Sequence, residues 1–463
     1  LDRVPLKYAG LSYAEIWISE AQERMVLAVP QENVEALLKL FAGEDVEATV
    51  IGTYGTDDTT LQLYYGEMQV GELEMAFLHE GLPRPHKDAL WDPKASPTSA
   101  PPAKDDYSRT LLELLASPNI ASKEWIIRQY DHEVQGGSVV KPLLGASADG
   151  PSDAAVVKPK LDTNRGVALA CGMNPALGDL DPYHSALHAI DEALRNIVCV
   201  GGDLERTAVL DNFCWGNCNK PDRMGALVQA AKACYDGATV YGTPFVSGKD
   251  SLNNEFQTDD GQRIAIPPTL LVSAISIIPD VNWCVTADAK AAGNVLVLVG
   301  VTQGQLGGSH VLKVEGLQSG NDVPPVDPAA NRETMKAVQR VLAAGFARAC
   351  HDLSEGGLAV AAAELAFCGG LGVEIDPSKL PVTADFPDGQ TGHACLARLF
   401  GESAGRFLLE VEPDKLRDAV ETLGDVPSAE VGTVTDSGRV KIGGFIDVSI
   451  AEAKAAWQGT FDW

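Results

Sequence analysis

Apolar positions along this chain switch repeatedly between helical and strand spacing. Leu187, Ile190, Leu194 and Ile197 share one face of a helix predicted over 183–198, and further helices are predicted near 222–236, 330–346 and 356–368. Short apolar runs bounded by turn residues predict strands at Gly137–Val140, Ala154–Val157, Val167–Ala170, 239–241, 269–278 and Val295–Val299. Strands alternate with helices, but β-pairs also run together. The pattern therefore predicts a mixed α/β fold and not a pure doubly wound sheet.

Two stretches repeat one another. Glu20-Ala-Gln-Glu-Arg-Met-Val-Leu-Ala-Val29 aligns with Glu402-Ser-Ala-Gly-Arg-Phe-Leu-Leu-Glu-Val411, matching Glu20 to Glu402, Arg24 to Arg406, Leu27 to Leu409 and Val29 to Val411 at one constant spacing. Each is followed by a helical stretch and a second strand, Ala48-Thr-Val-Ile-Gly-Thr53 against Ala429-Glu-Val-Gly-Thr433. Matched positions in order, with little drift, predict a duplicated strand–helix–strand unit. A long body precedes the motif in the second copy and has no counterpart before Glu20, so the first copy is expected to be truncated.

Six prolines (Pro83, Pro85, Pro93, Pro97, Pro101 and Pro102) interrupt the pattern after the first copy and predict a linker. The expected domains are 1–84, the tail of a first-copy C-terminal domain; 85–122, the linker; 123–285, a second-copy N-terminal α/β domain; and 286–463, its C-terminal α/β partner. A hydrophobic content of 45% is enough to build cores for them.

Charge narrows the partners. A formal net charge of −28 repels nucleic acid and anionic membrane, so neither is expected, and an anionic ligand must rely on local backbone donors and a few cations. No apolar run reaches transmembrane length. The nine cysteines are scattered without framework spacing, which favours a reducing cytoplasm.

Several segments offer chemistry. Gly242-Thr-Pro-Phe-Val-Ser-Gly-Lys-Asp-Ser-Leu-Asn253 reads as a strand entering a glycine-containing loop with Lys249 and Ser251, a composition that presents backbone N–H groups to phosphate. It is a near miss for a P-loop, and a plain turn is an equal reading. Asp211 and Asn212 end an apolar run, where Mg²⁺–nucleotide sites often lie; the bland alternative is a turn whose side chains bond their own backbone. Cys214 and Cys218 lack a second Cys/His pair, so no zinc site is expected. Glu192 and Asn196 stand four apart, opposite the apolar stripe of their helix, which is ordinarily a solvated face. Asp153 and the loop Ala349-Cys-His-Asp-Leu-Ser-Glu-Gly-Gly357 add carboxylates. Ser354 reads as the N-cap of the helix that follows, and His351 as a structural residue beside it.

Taken in order, Tyr130-Asp-His-Glu-Val-Gln135, Asp181-Pro-Tyr183, Glu192-Ala-Leu-Arg-Asn196, Asp211-Asn-Phe-Cys-Trp-Gly-Asn217, Gly242-Thr-Pro244, Gly248-Lys-Asp-Ser251 and His351-Asp-Leu-Ser-Glu-Gly-Gly357 resemble the synthetase subunit of phosphoribosylformylglycinamidine synthase. Trp17-Ile-Ser-Glu-Ala-Gln-Glu-Arg-Met25 resembles the end of that subunit's first half. The resemblance covers the whole chain outside the linker. It implies tandem aminoimidazole-ribonucleotide-synthetase-like pairs, each an N-terminal α/β domain contributing to a central β-barrel followed by a C-terminal α/β sandwich, with the first copy cut short here.

The resemblance also implies a reaction: ATP phosphorylates the amide oxygen of formylglycinamide ribonucleotide, and ammonia from a glutaminase subunit or domain displaces phosphate. Its implied substrate contacts are Glu20, Ala21, Gln22 and Ser251, and its ATP contacts are Asp211 and Gly248. Lys249 stands at a metal-binding Asn position, where a lysine can supply charge to phosphate directly. An auxiliary nucleotide site with Mg²⁺ maps onto Asp153, Glu192, Asn196 and Asp352, and the presence of all four implies that their helix face is covered. The family's catalytic histidines lie in Glu-His-Cys and Glu-Ser-His-Asn-His-Pro contexts, found around none of the eight histidines here. No catalytic residue is therefore expected in this chain, and the N-terminal half that carries them is an expected partner. Two other readings remain at this stage. One is a non-catalytic nucleotide-binding module completing an active site on another chain. The other is a selenophosphate- or thiamine-phosphate-kinase-like enzyme, which the duplication and the Asp211-to-Ser251 series disfavour.

Overall fold

The computed structural model describes residues 1–21, 24–55, 57–93, 96–99 and 101–461. They form two compact units, Leu1–His86 and Lys87–Trp463.

In the first unit, helix α1 (Tyr13–Ile18) is closed by a capping box in which Ser12 and Glu15 satisfy each other's backbone N–H. Helix α2 (Val34–Gly43), a hairpin of β1 (Thr60–Tyr65) and β2 (Met68–Glu74), and helix α3 (Met75–Glu80) follow. The strands predicted at 20–29 and 48–53 are not formed. Met25 is 86% exposed, and Val26, Leu27, Val50 and Ile51 are exposed with it. The reason lies in the second copy. There the matching segments form strands only because they are sandwiched between three others, and no such strands occur among the described residues of 1–86.

The second unit opens with a surprise. The proline-rich stretch predicted to be a linker is a strap held to the domain behind it: Leu90 N–H bonds Pro221 C=O at 2.9 Å, Ser96 N–H bonds Asn321 Oδ1 at 3.0 Å, and Ser99 N–H bonds Gln318 C=O at 3.0 Å. Prolines keep it extended, and the residues between them supply the donors. Helix α4 (Ser108–Leu115), inside the predicted linker, buries Leu111, Leu114 and Leu115 completely.

After the short helix α5 (Glu124–Ile127) come β3 (Ser138–Val140), β4 (Ala155–Val157), β5 (Gly166–Gly172), helix α6 (Pro175–Gly178), helix α7 (Pro182–Cys199), β6 (Thr207–Cys214), helix α8 (Pro221–Tyr241), β7 (Phe245–Ser251), the hairpin β8 (Glu255–Gln257) and β9 (Arg263–Ala265), and β10 (Thr269–Ile278). A six-stranded sheet in the order β3-β4-β5-β10-β6-β7 is antiparallel except for the parallel pair β6/β7. The strand predicted at 239–241 is instead the last turn of α8. Gly242, at φ 76°, supplies the left-handed residue that ends the helix, and its N–H bonds Ala238 C=O. The predicted glycine loop is the edge strand β7, its exposed polar residues typical of a strand with one free side.

The C-terminal half contains β11 (Val295–Val299), helix α9 (His310–Val314), helix α10 (Pro328–Ala343), β12 (Ala347–Asp352), helix α11 (Gly357–Gly369), β13 (Gly372–Ile375), helix α12 (Gly392–Phe400), β14 (Phe407–Val411), helix α13 (Leu416–Leu423), β15 (Ser428–Thr435), β16 (Arg439–Ile442), β17 (Ile446–Ser449) and helix α14 (Ile450–Gly459). Its seven strands run β12-β14-β11-β15-β13-β16-β17, parallel only at β13/β16. From α12 to α14 the element order is that of α1 to α3 with two strands added, β14 and β15. β14 lies between β11 and β12, and β15 between β11 and β13, which are the neighbours the first unit lacks. Among the described residues no helix is long and apolar enough to cross a membrane.

Candidate functional site

Helix α7 carries the site. Asp181 caps it through His184 N–H at 3.0 Å, and Pro182 occupies its first turn. The predicted stripe of Leu187, Ile190, Leu194 and Ile197 is fully buried. The opposite face is covered too: β12 and α10 cross it, so Asp191, Arg195 and Asn196 are buried as well, and Glu192 is half-buried. Close approach of α7 to β5 requires Gly172, where a Cβ would come 2.6 Å from Ala193 N.

Above this face Asp153, in the turn before β4, and Asp352, at the end of β12, come together, and Glu192 lies near enough to feel the charge of Asp352. The side chain of Asp153 is 1% exposed. Its Oδ1 accepts from His351 Nδ1 at 2.7 Å and from Asp352 N–H at 3.2 Å, while its Oδ2 has no partner. Asn196 Nδ2 donates to Cys171 C=O at 3.1 Å, which leaves Oδ1 buried and unpartnered. Glu192 Oε2 accepts from Met173 N–H at 2.8 Å. Asp352 Oδ2 accepts from Arg195 Nε and Nη2 at 3.2 and 3.1 Å and from Ser354 Oγ.

Electrostatics mark the pocket as short of positive charge. Burial, reinforced by Glu355 and Asp352, pushes the Glu192 carboxyl well above its usual range. Burial pushes Glu355 to about 7 and raises Asp352 even against Arg195. Burial alone would hold His351 neutral, but Asp153 on Nδ1 and Glu364 at 3.1 Å on Nε2 more than reverse that and keep it an imidazolium. Ligand atoms of Asp153, His351 and Asp352 lie within 4.8 Å of one another. Both ring nitrogens of His351 are engaged by carboxylates, so the donors on offer in this cluster are the oxygens of Asp153 and Asp352. Such all-oxygen donors suit a hard divalent cation. The two orphaned buried oxygens, each costly to leave unbonded, fit such an ion.

Sequence reasoning missed part of this arrangement. The pattern of residues does not single out Arg195, Glu355 or Glu364, and it reads His351 as structural beside a helix cap. Ser354 is not that cap. Gly356, at φ 76°, is the N-cap of α11, and Ser354 turns back to Arg195 Nη2 at 2.9 Å and to Asp352.

The second predicted group lies on the sheet. Asp211 of β6 pairs in register with Gly248 of β7. A Cβ at position 248 would lie 2.6 Å from Asp211 Cγ, so glycine leaves the room that the carboxylate fills. Burial, with Asp250 nearby, raises Asp211 above its usual range. Lys249 is exposed, with Nζ against Ser251 Oγ. Among the described residues no hydrogen bond or ion pair joins this group to the α7 pocket.

In the first unit Glu20 and Ala21 are exposed, and Gln22 lies outside the described residues. Arg24 Nη2 bonds Ser19 C=O at 2.9 Å. Its counterpart repeats the bond: Arg406 Nη2 reaches Gly401 C=O, five residues back, at 2.5 Å. Glu402, the counterpart of Glu20, is buried and accepts from His310 N–H at 2.9 Å and Gly356 N–H at 3.0 Å.

Comparison with known proteins gives the family. The model for AIR synthase related protein, C-terminal domain, matches residues 1–63 and again 291–444, and the model for AIR synthase related protein, N-terminal domain, matches 151–277. The double match agrees with the duplication. Phosphoribosylformylglycinamidine synthase subunit PurL of Anaeromyxobacter dehalogenans strain 2CP-C is 35% identical over 480 residues, covering 99% of this chain and 59% of that protein. The Deinococcus radiodurans subunit is 34% identical over 476 residues, covering 99% and 60%. This chain thus spans about three-fifths of the length of these relatives. Thermotoga maritima PurL complexed with FGAR gives a TM-score of 0.55 at 18% identity, over 75% of this chain and 53% of that one, a likeness of fold. The ordered motifs, the double family match and the PurL relatives agree: the chain belongs to the AIR synthase related proteins, as a homologue of phosphoribosylformylglycinamidine synthase subunit PurL.

Proposed function

We propose that this chain is part of an ATP-dependent carbon–nitrogen ligase that converts formylglycinamide ribonucleotide, with ammonia drawn from glutamine, to formylglycinamidine ribonucleotide in purine biosynthesis. The amide oxygen takes the γ-phosphoryl group of ATP, ammonia adds to the activated carbon, and phosphate departs carrying the former amide oxygen. Activation is needed because an amide oxygen is a poor leaving group, and catalysis of such a transfer rests on fixed donors and positive charge. Glu20, Ala21, Gln22 and Ser251 contact the substrate in this reading, Asp211 and Gly248 contact ATP, and Lys249 offers charge to phosphate. Asp153, Glu192, Asn196 and Asp352 hold the auxiliary Mg²⁺–nucleotide. When bound, Mg²⁺ supplies the charge that lets phosphates lie beside carboxylates.

One observation carries the reading: two buried oxygens without partners, on Asp153 and Asn196, at positions where the family resemblance expects a metal-bound nucleotide. The partners are the remainder of the synthetase, with its histidines, and a glutaminase subunit or domain, in the cytoplasm. A second reading, a non-catalytic nucleotide module completing a site on another chain, draws on the contrast between the buried acidic pocket and the exposed edge strand of Gly248 and Lys249.

The test is calorimetric titration of Mg-ADP into the chain and its variants. Binding is expected to be lost in Glu192→Ala and kept in Asp211→Ala; the reverse pattern refutes the site assignment. The chain alone should make no amidine from ATP, ammonia and the formylglycinamide substrate, and turnover clearly above background would refute the need for the rest of the synthetase.

A further inference from the structure

We infer that Arg195 is a positioning residue of the α7 pocket, a reading that rests on the auxiliary-site assignment above: anchored by Asp191, its guanidinium fixes Asp352 opposite Glu192 and Asn196. The ligand candidates come from three separate places in the chain, namely the turn before β4, helix α7 and the end of β12, and something must set the distance between them. Arg195 sits between Glu192 and Asn196 on the same helix, with its side chain 3% exposed. Nε and Nη2 both reach Asp352 Oδ2, at 3.2 and 3.1 Å, and Nη2 also reaches Ser354 Oγ at 2.9 Å. This ties α7 directly to the segment between β12 and α11. It also engages one oxygen of Asp352 and leaves Oδ1 as the one free for a ligand.

The far side of the guanidinium is held as firmly. Nη1 bonds Asp191 Oδ1. Asp191 is fully buried and saturated: Oδ1 also accepts from Gly405 N–H at 3.0 Å, and Oδ2 accepts from Tyr241 hydroxyl at 2.5 Å and Asn331 Nδ2 at 2.8 Å. Asp191 is therefore no ligand. It is a clamp from which Arg195 is aimed, fastened to α8, α10 and the turn before β14. A lysine in place of Arg195 keeps the charge but cannot donate to Asp191, Asp352 and Ser354 from one rigid plane.

The experiment uses the whole chain, titrated with Mg-ADP by calorimetry. Arg195→Lys is expected to bind at least tenfold more weakly than wild type, while Arg417→Lys, the same exchange at an exposed position of α13, binds normally. In Arg195→Ala, ethylguanidinium at millimolar concentration should restore affinity and propylammonium should not, a readout that a merely structural arginine would not give. If Arg195→Ala fails to fold, the Arg195→Lys comparison decides. Wild-type affinity in Arg195→Lys, with binding lost in Glu192→Ala, overturns this inference and leaves the site assignment standing. No binding by wild type, or binding that survives Glu192→Ala, overturns both.

Discussion

Glu402→Gln should flatten much of the pH dependence of stability between pH 6.5 and 9. His310 is buried with Nδ1 3.1 Å from Glu402 Oε1, and its Nε2 meets the Asn119 amide at 2.8 Å. Burial would lower the imidazole, but Glu402, helped by Glu355 and opposed weakly by Lys313, raises it to about 9. A histidine raised in the folded state stabilises fully below its unfolded value near 6.5, and that stability is lost as pH rises through about 9. At about 1.4 kcal/mol per tenfold change in proton affinity, the gap is worth about 3 kcal/mol. The glutamine keeps the shape and one acceptor for Gly356 N–H and His310 N–H, but removes the charge. Urea denaturation followed by tryptophan fluorescence, from pH 6 to 9.5, reads the effect. At pH 6 the variant should be about 3 kcal/mol less stable than wild type, and the two should converge towards pH 9.5. His351, raised by Asp153 and Glu364, contributes a slope of the same sign that the variant keeps. An undiminished wild-type slope in Glu402→Gln would refute the reasoning.

Three further outcomes follow from the same structure. Gly248→Ala should push the Asp211 carboxylate out of register and cost about 1–3 kcal/mol by overpacking, read as a lower Tm; an unchanged Tm and an unmoved carboxylate in a variant structure count against it. Amide hydrogens of 25–29 and 48–53 should exchange far faster than those of 407–411 and 428–435, because only the second pair of segments has ladder partners; equal protection is the contrary result. Mg²⁺ added without nucleotide should raise the Tm of wild type and not of Asp153→Asn, since the ion binds the folded pocket and not the unfolded chain.

What the sequence made legible was local. The stripe of α7 and the run Val295–Val299 announce themselves by spacing, and both lie where the pattern puts them. What it hid depends on residues far away in the chain. Glu192 and Asn196 look solvated by periodicity, yet they pack beside the end of β5, where Met173 N–H and Cys171 C=O meet them. Thr239 and Val240 have strand propensity, yet Tyr241 reaches Asp191 from the end of a helix whose length is set by Gly242. Gly, Lys, Asp and Ser at 248–251 compose like a loop, and become a strand because β6 supplies a parallel ladder on one side.

The two copies separate these levels within one molecule. The Arg-to-carbonyl bond spans five residues and forms in both, since it needs nothing beyond its own segment. Strand formation needs neighbours, so 407–411 is a buried strand while 25–29 forms none, although Leu27 and Val29 match Leu409 and Val411. The glutamate that opens each motif shows the same division. Glu402 is buried because His310 and Gly356 bring donors to it, and exposed Glu20 has no such donors among the described residues of the first unit. A duplicated motif thus carries its own turn wherever it goes, and the chemistry of its carboxylate is set by what folds around it. For that reason the substrate role proposed for Glu20 does not extend to Glu402, whose oxygens are already spent on the loop that starts α11.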